Sequence, residues 1–367
     1  MKTSRLLLAA AACALLAGQA RALFTDLGEA GNAAVSSEFD AYRSAHPSGA
    51  CRAEGPGKRV LLTGYGLFAG RGYNISGEVV RAMADPAFWP SDLLLAERGA
   101  FADGQPYARR LTPEQFSNGA VAHSRSLRLD GQPYQVCFLA LNVAWDLAAA
   151  ILVYEAGFFR PDMIMMTGGG APEARFEGAA INTPARLSGF DSAGVIDKRN
   201  TPNSDWLLQD YPPGHELTTT WDGERLANGV RAKVSELGYT VSAPARQSPG
   251  NDYICNNIAF VALHAAGGNR PTRLAGSAAA GPGIVLPALN LQRGTIVGFF
   301  HFPDVPTHHP DLASYGGGIY GWAQVLATAI HGSLGSAGGA RPPAARGAEG
   351  EAFRSRLLGR FGSTVLP

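Results

Sequence analysis

Apolar residues along this chain fall into short unbroken runs separated by stretches at helical spacing, and the two kinds alternate. Arg59-Val-Leu-Leu-Thr63 is the kind of run carried by a strand buried on both faces. It leads into the glycine-rich segment 64–70, after which Ser76 is placed to cap a helix running to Met83, ahead of Pro86. Residues 134–139 predict a second strand and 143–158 a helix. Residues 161–167 predict a third strand that stops in a turn at Gly168-Gly169-Gly170. Farther on, 224–237 predict a helix closed by Gly238, 239–243 a strand, 295–301 a strand broken by Phe302-Pro303, and 317–331 a last helix. Strand, helix and strand in this rhythm predict an α/β fold: a single-domain α/β/α sandwich, with a mostly parallel twisted sheet and helices on both faces.

The flanks read differently. Lys2 and Arg5 precede an apolar run over 6–17, and Ala20-Arg21-Ala22 supplies a small-x-small site. This predicts a signal peptide over 1–22 cleaved after Ala22, and with it a secreted or periplasmic protein without a membrane span once cleaved. Residues 23–57 read as an N-terminal extension, weakly helical around 27–42. The α/β domain covers 58–331, with irregular insertions expected near 86–130 and 266–293 and a long loop over 185–221. The Gly/Ala/Pro/Arg-rich stretch 332–350 begins a low-complexity linker and tail over 332–367.

Composition then narrows the partners. With 31 basic and 30 acidic residues the chain has no charge excess to direct it to nucleic acid or an anionic membrane. After cleavage Cys51, Cys137 and Cys255 remain, so an oxidising compartment allows one pair and one leftover thiol. Spacing does not determine the connectivity; a Cys51–Cys137 pair with Cys255 free is the working hypothesis.

Candidate chemistry starts at Cys255, which stands where the loop Ser248-Pro-Gly-Asn-Asp-Tyr-Ile gives way to an apolar helical pattern. The first turn of a helix carries unpaired N–H groups and the positive end of the macrodipole, which favour a thiolate. A buried structural cysteine opening a core helix fits the same position. His301 ends a later predicted strand, and Glu177 lies just past the third. In a parallel sheet the C-terminal strand ends share one edge, so thiol, imidazole and carboxylate can converge there as nucleophile, base and orienting group. Other constellations are weaker. Gly64-x-Gly66-x-x-Ala69 does not open directly into a helix, as a dinucleotide loop should. His308, His309 and Asp311 lie in a Pro-bounded loop with no partner at ligand spacing, and His264 and His331 read as structural.

These residues sit in segments that resemble the pyroglutamyl (pyrrolidone-carboxylate) peptidases, an α/β cysteine peptidase family. Val60-Leu-Leu-Thr-Gly-Tyr-Gly-Leu-Phe-Ala-Gly70 with Asn74 and Ser76 is similar to the family's T-G-F-x-P-F-x-G…N-x-S loop. Glu177-Gly-Ala-Ala-Ile-Asn182 resembles its E-R-V-A-I-N segment, Ser248 to Asn256 its A-G-x-x-x-C-N segment, and Gly298-Phe-Phe-His-Phe-Pro303 its G-F-x-H-x-P segment, in the family's order. The resemblance implies Cys255 as nucleophile, His301 as general base and acid, and Glu177 as the orienting carboxylate. It implies that Tyr65 and Phe68 pack around a pyrrolidone ring, with Arg186 nearby. Asn256 is expected in the substrate site as well, since the backbone amides of Cys255 and Asn256 at the helix start are the natural oxyanion donors. The resemblance further implies removal of an N-terminal pyroglutamyl residue from a blocked peptide through a thioacyl-enzyme, with no metal or cofactor. The chain departs from the pattern at Tyr65 (a Phe in the family), Gly66-Leu67 (an acidic-Pro pair) and Gly178 (an Arg). Two other readings stay open here: a related amide or thioester hydrolase with altered acyl specificity, and a non-catalytic binder of lactam-ended peptides.

Overall fold

The run that predicts the first strand is one of the two central strands of an eight-stranded sheet in the structure, a computed structural model. It describes residues 28–66, 74–96, 120–183, 207–208, 210–246, 253–268, 270–274, 283–289, 291, 294–303, 312–335 and 357. In chain order the elements begin α1 (Gly28–Ala45), β1 (Lys58–Tyr65), α2 (Ile75–Ala84), β2 (Asp92–Leu93), β3 (Ala120–Leu129), β4 (Gln132–Leu141), α3 (Leu147–Phe159) and β5 (Met163–Ala171). They continue β6 (Ala174–Phe176), β7 (Ala179–Ile181), β8 (Glu216–Thr218), α4 (Gly223–Glu236), β9 (Val241–Ser242), α5 (Ile254–Gly267), β10 (Thr272–Leu274), β11 (Ile284–Leu286), β12 (Ile296–Pro303) and α6 (Leu312–Leu334).

The main sheet has the order β2-β3-β4-β1-β5-β12-β6-β9. Its four middle strands, β4, β1, β5 and β12, are parallel, while β3 and β6 pair antiparallel to their inner neighbours. Alternate residues of β1 face opposite layers: Leu61 and Tyr65 join the core under α1, α3 and α5, and Val60 and Leu62 the core under α2, α4 and α6. Both faces of the strand are therefore dry, which explains why its residues read as an unbroken apolar run. The fold class is the one predicted, an α/β/α sandwich on a mostly parallel sheet.

Several expected boundaries are corrected. The insertion near 86–130 ends in β3, which forms a hairpin with β4 through Asp130-Gly131, both at positive φ (46° and 76°). That two-residue Asp-Gly turn matches the right-handed twist of the strands it joins. The region 266–293 contributes a β10–β11 hairpin, and β8 pairs with β7 inside the expected loop 185–221. Asn74 rather than Ser76 caps α2, accepting from Ser76 N at 3.2 Å, while Ser76 Oγ accepts from Tyr65 N at 3.0 Å. Gly168–Gly170 make no turn, because β5 runs on to Ala171. Likewise β12 passes through His301 and Phe302 to Pro303. Among the described residues no helix is long and apolar enough to cross a membrane. Residues 1–27 lie outside the described residues, as do 336–356 and 358–367.

The N-terminal extension is bound to the domain. Val35, Phe39 and Tyr42 on one side of α1 are buried against α3. Beneath them Glu155, wholly buried, accepts from Tyr42 Oη (2.7 Å), Ala50 N (2.8 Å) and Cys51 N (2.9 Å). A buried carboxylate needs such donors to offset its lost hydration. A disulfide joins Cys51 to Cys137 on β4 across 86 residues, leaving Cys255 as the free thiol among the described residues. Closing a loop of that length stabilises the native state by about 4–5 kcal/mol in the chain-entropy account. The Cys51→Ala/Cys137→Ala protein should lose most of that in urea denaturation; a loss below about 1 kcal/mol would mean that the Glu155 contacts hold the extension unaided.

Candidate active site

β5 and β12 run side by side, with His301 opposite Gly168. Both fall on the α3/α5 side of the sheet, in step with Ile164 and Met166 on β5 and Val297 and Phe299 on β12. Over this point sits the first turn of α5. A Cβ built on Gly168 would come within 2.6 Å of Cys255 Sγ and 2.9 Å of Phe299 Cζ. Gly168 is thus a strand glycine whose missing side chain leaves the space that the thiol occupies, a role a close approach demands.

Glu177 is brought to His301 by a reversal of the chain. β6 pairs antiparallel to β12, and Glu177 N donates to Phe299 O at 3.0 Å. Its carbonyl accepts from Thr219 Oγ1 and Trp221 Nε1, both at 3.0 Å. With the backbone pinned on both sides, Glu177 Oε1 lies 2.7 Å from His301 Nδ1, with both residues buried. A carboxylate at Nδ1 makes that nitrogen the donor and leaves Nε2 free to accept a proton. Two more glycines permit the packing. A Cβ at Gly298 would strike the Trp221 indole at 2.1 Å, and one at Gly178 would meet Pro244 O at 2.1 Å. Position 178 therefore has no room for a side chain in this structure.

The start of α5 is tethered at three positions flanking the thiol. Tyr65 Oη donates to Ile254 O (3.2 Å), so the hydroxyl that replaces a hydrogen of Phe has a partner. Asn256, fully buried, accepts from Ile181 N (2.8 Å) and donates to Ile181 O (2.8 Å) and Thr183 O (3.3 Å). Asn257 donates to Asp146 Oδ1 at 3.0 Å. Asn256, expected beside the substrate, thus directs its side chain to the backbone of the strand after Glu177. The first intrahelical bond runs from Asn257 N to Tyr253 O (3.1 Å), so the N–H groups of Ile254, Cys255 and Asn256 have no acceptor within the helix. Phe68 and Arg186 lie outside the described residues, as do His308, His309 and Asp311. His264 and His331 meet tyrosine hydroxyls, Tyr211 at 3.1 Å and Tyr134 at 3.0 Å, away from this cluster.

The thiol's environment reverses the expectation drawn from its helix position. Burial, then the negative charge of Glu177, pushes the Cys255 thiol up to about 12, opposed only by its own backbone N–H. A helix start contributes about 0.3–1 kcal/mol toward the anion. The shift upward from an ordinary value near 9 corresponds to a penalty on the order of 4 kcal/mol. Burial and the carboxylate charge together outweigh the helix start and favour the neutral thiol. Burial also raises the Tyr65 hydroxyl well above its ordinary range, with the Cys255 charge adding to it, so that phenol stays protonated as a donor. Thiol, imidazole and buried carboxylate at one strand edge, beneath helix N–H groups that have no intrahelical acceptor, can carry out acyl transfer.

Sequence reasoning missed Gly168, Asp146, Asn257, Thr219 and Trp221. Only Gly168 carried a signal, three glycines directly after a buried apolar run.

No protein-family model matches the chain, and no curated protein sequence matches it. Solved structures do. Pyroglutamyl peptidase I from Bacillus amyloliquefaciens is 15% identical, with 76% of this chain and 97% of that chain covered and a TM-score of 0.44. Pyrrolidone carboxyl peptidase from Thermococcus litoralis is 15% identical over 76% of this chain and 94% of that one, with a TM-score of 0.44. The pyrrolidone carboxyl peptidase from Pyrococcus furiosus is 16% identical over 76% and 98%, with a TM-score of 0.43.

Two outcomes follow from the geometry. Because a thiolate forms only at high pH, alkylation of Cys255 by iodoacetamide should still be accelerating above pH 9; a plateau between pH 5 and 8 would instead reveal a preformed thiolate–imidazolium pair. Gly168→Ala should destabilise the protein by about 1–3 kcal/mol by overpacking, and adding Cys255→Ala should recover part of that loss. Strictly additive losses would place Sγ away from Gly168.

Proposed function

We propose that this chain is an exported cysteine peptidase that removes an N-terminal pyroglutamyl residue from peptides. The observation that carries the reading is the buried His301–Glu177 hydrogen bond at the strand edge covered by Cys255, in the segments whose sequence resembles that family. His301 Nε2 takes the proton from Cys255 Sγ as the sulfur attacks the acyl carbonyl that joins the lactam ring to the next residue. The oxyanion forms at the start of α5, where the N–H groups of Cys255 and Asn256 have no intrahelical acceptor; one such donor lowers the barrier by about 3–4 kcal/mol. His301 returns the proton to the leaving amine, and a thioester remains on Cys255. Water, deprotonated by the same imidazole, then releases free pyroglutamate and restores the thiol.

Because the thiol starts neutral and the imidazole holds Nε2 as acceptor, proton transfer belongs to the attack itself. Glu177 stabilises the imidazolium that forms. Tyr65 and Phe68 would flank the ring, an apolar slot suited to an uncharged lactam. Export is supported by the charged and apolar N-terminal pattern ending at Ala22 and by the disulfide of Cys51 and Cys137, a bond that oxidising compartments preserve.

Cleavage of a pyroglutamyl anilide, a free-amine prolyl anilide and an acetyl anilide should be compared in wild type and Cys255→Ala. The pyroglutamyl compound should be cut fastest, and the variant should lose about a thousandfold or more in kcat. Equal rates on all three would shift the reading to an amide hydrolase of different acyl specificity. Binding of pyroglutamyl peptides without cleavage would shift it to a binding protein. Full activity in Cys255→Ala would overturn the mechanism.

A further inference from the structure

Asp146 stands just before α3, between the end of β4 and the start of α5, and is wholly buried. Its backbone has φ 58° and ψ −36°, outside the regions that residues with a Cβ ordinarily occupy. Preceding a helix, an aspartate normally turns its carboxylate to that helix's first amides. Here it makes no such bond to α3. Instead Oδ1 accepts from Asn257 Nδ2 at 3.0 Å, and Asp146 N donates to Asn257 Oδ1 at 3.4 Å. Two residues 111 apart in sequence thus exchange a pair of hydrogen bonds. A backbone held off its preferred conformation at a candidate site points to a positional demand that surrounding contacts enforce.

The demand is legible in the neighbouring tethers. Ile254 is held to β1 through Tyr65, Asn256 to the strand after Glu177, and Asn257 to the entry of α3 through Asp146. Cys255 lies between them, above Gly168. The first two tethers fix the turn relative to β1 and β7, while the third ties it to α3. Without it the turn can lift from the sheet, taking Sγ with it. We infer that Asp146 is a positioning residue, acting through Asn257 to hold Cys255 against the β5–β12 edge where His301 can take its proton. This rests on the peptidase reading for its kinetic consequence, although its structural content does not.

Asn257→Ala, Asn257→Asp, and the exchanged pair Asp146→Asn/Asn257→Asp separate positioning from bulk stability. Asn257→Asp sets two carboxylates against each other, whereas the exchange restores a carboxylate–amide pair with the polarity reversed. In both single variants kcat on a pyroglutamyl anilide should fall about tenfold or more with KM within about twofold, since small displacements of a reacting atom act on the chemical step. Alkylation of Cys255 by iodoacetamide at fixed pH, well below the thermal midpoint, should move the opposite way and rise severalfold, because a lifted thiol escapes the burial that keeps it neutral. The exchanged pair should return both quantities to within about threefold of wild type. The inference is overturned if Asn257→Ala changes neither quantity, or if the exchanged pair is no better than Asn257→Asp. If the wild type cleaves no pyroglutamyl substrate, the peptidase reading fails, and the alkylation rates alone then decide the positioning role.

Discussion

A hydrogen bond between two buried ionisable side chains, His301 and Glu177, is the constraint around which the rest of the site is arranged. An unpaired carboxylate or imidazole at this depth would lose its hydration without compensation. Holding the two at 2.7 Å requires β6 to run back along β12 so that Glu177 returns to the level of His301. Thr219 and Trp221 then close over the Glu177 carbonyl, and glycines at 178 and 298 let those layers approach. Each of these features has little purpose alone. Together they keep one imidazole in one tautomer at one place on the sheet.

The thiol is governed by an opposing pair of effects. A helix start favours the anion, but removal from water and the Glu177 charge disfavour it more strongly. A neutral thiol near an imidazole already oriented by a carboxylate is suited, under the proposed mechanism, to giving up its proton as it reacts. It also resists oxidation better than a standing thiolate would.

Much of the fold was legible because buried parallel strands announce themselves as apolar runs. β1 and β5 were found within a few residues, as were the helices that alternate with them. The errors have specific causes. Gly168–Gly170 read as a turn because glycine usually marks one, whereas here it marks the place where sulfur stands against backbone. β3 was missed although Asp130-Gly131 is a strong hairpin signal, because the preceding segment is rich in glycine, proline and charge and masked it. Ser76 and Asn74 are both capping residues two positions apart, and only the structure separates their roles. Cys255, His301 and Glu177 could be singled out by residue type and by the segments that carry them, and the structure brings the last two together. The Asp146–Asn257 exchange could not, since nothing local in either segment indicates a partner 111 residues away.

The central claim is that Cys255 carries the acyl group during turnover. Intact-mass analysis of the enzyme, acid-quenched within the first turnover of a pyroglutamyl ester or anilide, tests it directly. The account predicts one added pyroglutamyl group, mapping to the peptide that contains Cys255 and released by hydroxylamine as a thioester would be. Cleavage with no adduct under conditions that trap thioesters, or an adduct on another residue, would contradict it.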